Sequence, residues 1–120
     1  MKDINILKDG GVNVEQGLEI LGDMEMYDET LNDFLDESES RLTKIEEFKN
    51  AGDMANYAIL VHAMKSDSKY LGFTILAQLS FDHEMKSKEN NIEYVNEHYN
   101  DLMAEANRIV TLVKKYLKKD

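Results

Sequence analysis

AILVHAMKSDSKYLGF, residues 58–73, is the stretch from which both the fold and the chemistry of this chain are read. At about 100° of rotation per helical residue, Tyr57, Leu60, Met64 and Leu71 gather near one pole of a helical wheel, with Val61 and Ser68 on the flanks. Ala55, Ala58, Lys65, Ser66 and Lys69 fall within roughly 60° of His62 on the other side. The period is helical, and His62 is expected to face away from the core. Small side chains at positions 55, 58 and 66 would leave its ring open to a donor the size of a protein.

The same period extends in both directions. There is no proline, and apart from Gly10-Gly11 the glycines stand singly where the apolar pattern breaks. Residues 1–10 read as an irregular lead-in whose Ile4, Ile6 and Leu7 pack on the body. Asn13 with Gln16 resembles a capping box that opens a short helix presenting Val14, Leu18 and Leu21. Gly22 stops that helix, and Asp23 caps a second from about Met24 to Lys49, with Tyr27, Leu31, Phe34, Leu35, Ser38, Leu42, Ile45 and Phe48 on one face. Gly52-Asp53 gives another stop and cap, so the helix of His62 runs from Met54 to Leu71, and Gly72 closes it. A weaker pattern from Thr74 to Lys88 is expected to bury Ile75, Leu76, Leu79 and Met85. Asn90-Asn91 turns the chain into a last helix, Ile92 to Lys118, with Val95, Tyr99, Leu102, Ala106, Ile109, Val113 and Leu117 in its stripe. The expected fold is all-α: an antiparallel up-down four-helix bundle preceded by a short N-terminal helix, one domain over residues 1–120.

Composition narrows the function. The chain has no cysteine, which removes disulfides, thiolate zinc sites and thiol catalysis. Its net charge of −10, from 24 acidic and 14 basic residues, would repel nucleic acid. No run reaches the roughly 18 apolar residues of a membrane span, and MKDINILKDGG lacks the apolar centre of a signal peptide. A cytoplasmic monomer is expected, with no membrane insertion. The acidic stretch from Asp23 to Glu47 and the basic VKKYLKKD end read as solvated helix surface, the latter suited to a helix C-terminus.

A neutral imidazole nitrogen is a nucleophile near physiological pH, the unperturbed histidine pKa being about 6.5. Lys65 and Lys69, three and seven positions beyond His62, would bring ammonium groups to its face. That combination suits acceptance of a phosphoryl group, whose added negative charge the lysines would attract. The plain alternative is a solvated helix face carrying a histidine. Of the other two histidines, His83 in Asp82-His83-Glu84 is expected at the surface, and His98, bordering the last apolar stripe, is expected to be partly buried in packing. No HExxH spacing is present, and no metal site is expected. Nor is there a GxxxxGK[ST] phosphate loop, so the chain should not use ATP itself.

His62-Ala63-Met64-Lys65-Ser66-Asp67-Ser68-Lys69-Tyr70-Leu71-Gly72 resembles the motif of the histidine-containing phosphotransfer (HPt) domains of two-component phosphorelays. The lysine three positions after the histidine, the small residue next, the serine at the sixth position and the Leu-Gly at the ninth and tenth all match. Upstream, Gly11-Val12-Asn13, Gly17-Leu18, Gly22-Asp23, Tyr27 and Gly52-Asp53 resemble the same family's first helix and helix junctions. The resemblance implies that His62 is the phosphoacceptor, that Lys65 stabilises the phosphate, and that Gly72 is a turn. Ser66 stands where the family commonly has glycine, so its hydroxyl would either bond the phosphate or crowd the partner. Ser66 and Lys69 are the expected phosphate neighbours. The implied partners are response-regulator receiver domains, those of hybrid sensor histidine kinases among them. The chain would carry no cofactor of its own, the Mg2+ ion belonging to the receiver. The docking surface is expected around His62 and the adjoining part of the second helix, near Phe34 to Ser38, or on the early first helix. A helical adaptor that binds partners without chemistry shares this fold but gives no reason for Lys65, Ser68, Leu71 and Gly72 to stand in register with His62.

Overall fold

A computed structural model describes residues 2–119; the outermost residues of the expected 1–120 domain lie outside the described residues. All elements among the described residues are helical: α1 (Asn5–Asp9), α2 (Val14–Leu21), α3 (Met24–Ala51), α4 (Met54–Leu71), α5 (Thr74–Lys88) and α6 (Ile92–Leu117). Their boundaries follow from capping chemistry. Side-chain oxygens of Asp23, Asp53 and Asn91 accept from the backbone N–H groups of Met26, Asn56 and Tyr94, three residues on. α4 and α5 begin and end where the sequence places them, and α3 continues two residues past Lys49 to Ala51.

The lead-in is a correction. Residues 5–9 form a helical turn rather than irregular chain, because burial stabilises what five residues cannot do locally. Leu7 is fully buried, and Arg108 Nη1 of α6 donates to the Gly10 carbonyl at 2.7 Å. The start of α2 also departs from a simple capping box. Asn13 Oδ1 accepts from Gln16 N at 3.2 Å, but Gln16 Oε1 accepts from the Asn13 side-chain Nδ2 at 3.4 Å rather than from its backbone N–H, and Gln16 Nε2 donates to the Lys69 carbonyl at 3.1 Å. The Asn13 N–H is already taken by the Gly72 carbonyl at 2.8 Å, so α2 is sewn to the end of α4.

One core runs through the molecule. Tyr27, Leu31, Phe34 and Ile45 of α3 meet Met54, Tyr57, Val61, Met64 and Leu71 of α4 and the stripe of α6 from Val95 to Tyr116. α3 packs on α4 and α6, and α5 packs on the same two helices. In α6 it is Tyr116 that is buried, whereas Leu117, expected in the stripe, is half-buried. The Tyr116 hydroxyl reaches Asp28 Oδ1 at 2.7 Å.

The inner face of α5 is the larger departure. Of the expected core residues, Leu76 is buried and Leu79 half-buried, but Ile75 and Met85 are exposed. The face turned inward holds Ala77, Ser80, His83, Glu84 and Ser87. Small side chains let α5 approach α4 closely; His83 bonds to Tyr57 of α4 and the His98 carbonyl of α6, Glu84 bonds to His62 of α4, and the Ser87 hydroxyl donates to the Glu84 carbonyl within α5. That approach also covers Ala58, which the helical wheel had placed on the open face.

Gly72 marks the tightest junction. It takes φ +82°, and a Cβ there would collide with the backbone of Asn13. Gly52 has a similar φ of +69° with open space around it. Gly72→Ala is therefore expected to destabilise the fold by roughly 2–4 kcal/mol and Gly52→Ala by only about 1 kcal/mol, the left-handed penalty alone. Urea unfolding of the two variants checks this, and equal losses would remove the collision with Asn13 from the account.

Candidate functional site

Midway along α4, His62 is more than half exposed, its side chain at 55 %. Its Nδ1 lies 2.7 Å from Oε2 of Glu84 on α5. A carboxylate can only accept, so Nδ1 carries the proton and the Nε2 lone pair of the neutral ring is left unprotonated. Glu84 itself is 2 % exposed.

A buried carboxylate needs partners, and Glu84 has three cationic or hydrogen-bonding neighbours. Besides His62, Lys65 Nζ lies 2.7 Å from Oε1 and Lys88 Nζ 2.8 Å from Oε2. The Lys65 approach to Oε1 is close but off the hydrogen-bond direction, so this contact is an ion pair. Burial by itself would raise the Glu84 pKa; Lys65, Lys88 and His62 outweigh it and hold the carboxyl at about 2. Lys65 also stands 5.5 Å over the Phe81 ring, so its ammonium is held from two sides.

Helix geometry brings these groups together. His62 and Lys65 are three apart on α4 and Glu84 and Lys88 four apart on α5, so each pair occupies one side of its helix. α4 is set in place by three further ties. Arg41 Nη1 of α3 holds Asp67 Oδ2 at 2.7 Å, the buried Tyr27 hydroxyl donates to the Leu71 carbonyl at 2.7 Å, and Asn13 holds Gly72.

The expected site residues thus divide. His62 and Lys65 converge on Glu84. Ser66 is half-buried one turn beyond His62. Lys69 is not brought to the imidazole: it lines a separate cavity with Gln16, Thr74, Gln78 and Phe81. Seven residues of helix place it about 10 Å along the axis from His62, too far for a shared angular position to bring the groups together. In its place the structure supplies Lys88. Glu84 and Lys88 carry no distinguishing signal on α5, although the polar residues spaced at 80, 84 and 87 in a weak apolar pattern could have marked an inward polar face.

His83 corrects the surface expectation. It is buried, and its Nε2 lies 3.2 Å from the His98 carbonyl, which fixes the proton there and leaves Nδ1 to accept from the Tyr57 hydroxyl at 2.8 Å. Burial pushes its pKa down, partly offset by the bond to the His98 carbonyl. His98 is half-buried, as expected, its ring 4.3 Å from that of Tyr94. Among the described residues, no group of three or more acidic or histidine side chains is arranged to hold a metal ion.

Beside His62, a groove of about 590 Å³ opens between α4 and α5 and includes Ala55, Ile59, Lys88 and Asn90. Ile59 is 64 % exposed. In the stretch expected to adjoin the docking surface, Phe34 packs edge-on against Phe73 at 5.1 Å and Ser38 is buried, whereas Asp36 and Glu37 are exposed. No helix among the described residues is long and apolar enough to cross a membrane.

Comparison with curated proteins and with solved structures returned no match. The family model described as the Hpt domain matches residues 29–111, from α3 through most of α6, and so includes His62, Lys65, Glu84 and Lys88. That family points to phosphotransfer in two-component signalling, in company with response-regulator receivers. On this match, which spans well over half its length, the chain belongs to the Hpt domain family.

Proposed function

We propose that His62 takes a phosphoryl group from the aspartyl phosphate of a response-regulator receiver and passes it to another receiver, the chain serving as a cytoplasmic phosphorelay intermediate. In this reading one antiparallel up-down four-helix domain, α3 to α6 with the short helices before it, works as a monomer. The observation that carries the reading is the exposed imidazole with Nδ1 tied to a buried carboxylate.

The Nε2 lone pair attacks phosphorus in line as the bond from phosphorus to the receiver's aspartate oxygen breaks and its electrons return to that carboxylate. The ring loses no proton. It therefore becomes cationic, with the Nδ1–H directed at Glu84, and the preplaced negative charge stabilises it as it forms. Running the same step backwards delivers the group to the next receiver. The receiver's Mg2+ ion neutralises charge on the transferring oxygens, and this chain supplies the nucleophile and its setting without a cofactor of its own. The apolar groove around Ala55 and Ile59 offers the receiver a place to dock.

Incubation with a phosphorylated receiver and Mg2+ is expected to give the wild-type chain an acid-labile, alkali-stable phosphate, and His62→Gln none. Label retained on that variant would defeat the assignment of His62; a receiver bound without any label on the wild type would favour the adaptor reading. Lys65→Ala is expected to shorten the phosphohistidine half-life by up to about tenfold, the worth of one charge-assisted contact. An unchanged half-life would make Lys65 a bystander.

Glu84 also predicts a pH dependence. Its folded pKa of about 2 lies below the ordinary 4.5, so its ion pairs contribute stability above pH 4.5 and lose it as pH falls toward 2. The thermal midpoint of Glu84→Gln should therefore lie below wild type at neutral pH, and the gap should narrow between pH 4.5 and 2. A gap of constant size across that window would mean that the carboxylate's charge is not its contribution.

A further inference from the structure

We propose that Lys88, in the last turn of α5, is a second cation for the phosphoryl group on His62; the assignment rests on the relay reading above. Lys88 Nζ and His62 Nδ1 stand 2.8 and 2.7 Å from the same oxygen, Glu84 Oε2, and both side chains line the same groove. The lysine thus already shares the imidazole's carboxylate partner before any phosphate arrives.

It is also the more exposed of the two cations. Its side chain is 57 % exposed, and among the described residues its ion-pair partner is Glu84. Lys65 is 15 % exposed and is held between Glu84 and the Phe81 ring. Swinging Lys88 outward toward solvent costs little packing, whereas moving Lys65 breaks two contacts.

The charges around Glu84 explain why the lysine would move. Before transfer, the carboxylate faces two ammonium groups and a neutral imidazole. When Nε2 bonds to phosphorus, the ring becomes cationic while its Nδ1–H still points at Glu84. Glu84 then keeps Lys65 and an imidazolium, so it has two cationic partners without Lys88 and is not left a buried unpaired charge. At the same moment a doubly charged phosphoryl group appears on the far side of the ring, where an ammonium gains more than beside a single shared carboxylate. The new positive charge on the ring releases Lys88, and the new negative charge on the phosphoryl group captures it.

The test uses phosphoramidate, a small phosphoryl donor that needs no docking, alongside the phosphorylated receiver. Wild type, Lys88→Ala and Lys88→Arg are labelled, and 31P NMR follows the phosphohistidine resonance against pH and its hydrolysis at neutral pH. Losing the cation should raise the pH at which the phosphoryl group takes up its proton and shorten its half-life roughly threefold to tenfold in Lys88→Ala, with Lys88→Arg restoring both. If wild-type His62 accepts no phosphoryl group from either donor, the relay reading fails. If His62 is labelled but Lys88→Ala titrates and hydrolyses like wild type, or if Lys88→Arg restores neither property, the assignment of Lys88 fails alone.

Discussion

The carboxylate of Glu84 is the constraint on which the rest of this site depends. A group 2 % exposed to water and still ionised has lost most of its hydration, a cost of several kcal/mol that only close counter-charges recover. His62 and Lys65 from α4 and Lys88 from α5 supply that compensation within 2.8 Å. The carboxylate in return sets the tautomer of the imidazole and holds the ring on the side of α4 that faces solvent. Remove it, and a surface histidine has two interchangeable nitrogens and no fixed direction.

The two faces of α4 do different work. Met54, Tyr57, Val61, Met64 and Leu71 are inserted in the core, while His62 stands on the rim of the groove. Because the helix is tied to α3 through Arg41 and Tyr27 and to α2 through the Asn13–Gly72 contact, His62 is presented from a rigid element. Rigidity suits the proposed transfer, in which the metal and the leaving group would arrive with the partner. In that transfer the chain would have only to keep one lone pair aimed outward and one proton held inward.

α5 explains most of what the sequence reading missed. A helix is recognised by its apolar period, and α5 buries only Leu76 and Ala77 of that kind on a face otherwise made of serines, His83 and Glu84. Polar residues of this sort read as surface unless a partner is known, and their partners come from elsewhere in the chain. Tyr57, 26 residues before His83, and His62, 22 residues before Glu84, meet them only when α4 and α5 lie side by side. Lys69 lies in a different cavity from His62 for a related reason. A helical wheel records angle and discards height, and two turns of rise carried that lysine into a different cavity.

Residue order by itself determined the all-helical character, the ends of α4 and α5, and the histidine that faces solvent. Those features rest on local physics: caps bonding the N–H three residues on, glycine at positive φ, and apolar side chains recurring at a helical period. Only the tertiary structure decided that residues 5–9 are helical, that His83 is buried, and that the imidazole is flanked by Glu84 and Lys88 rather than by Lys69. Each of these depends on contacts between residues far apart in the chain, and the energy of a buried ion cluster exists only once the helices carrying its charges have packed together.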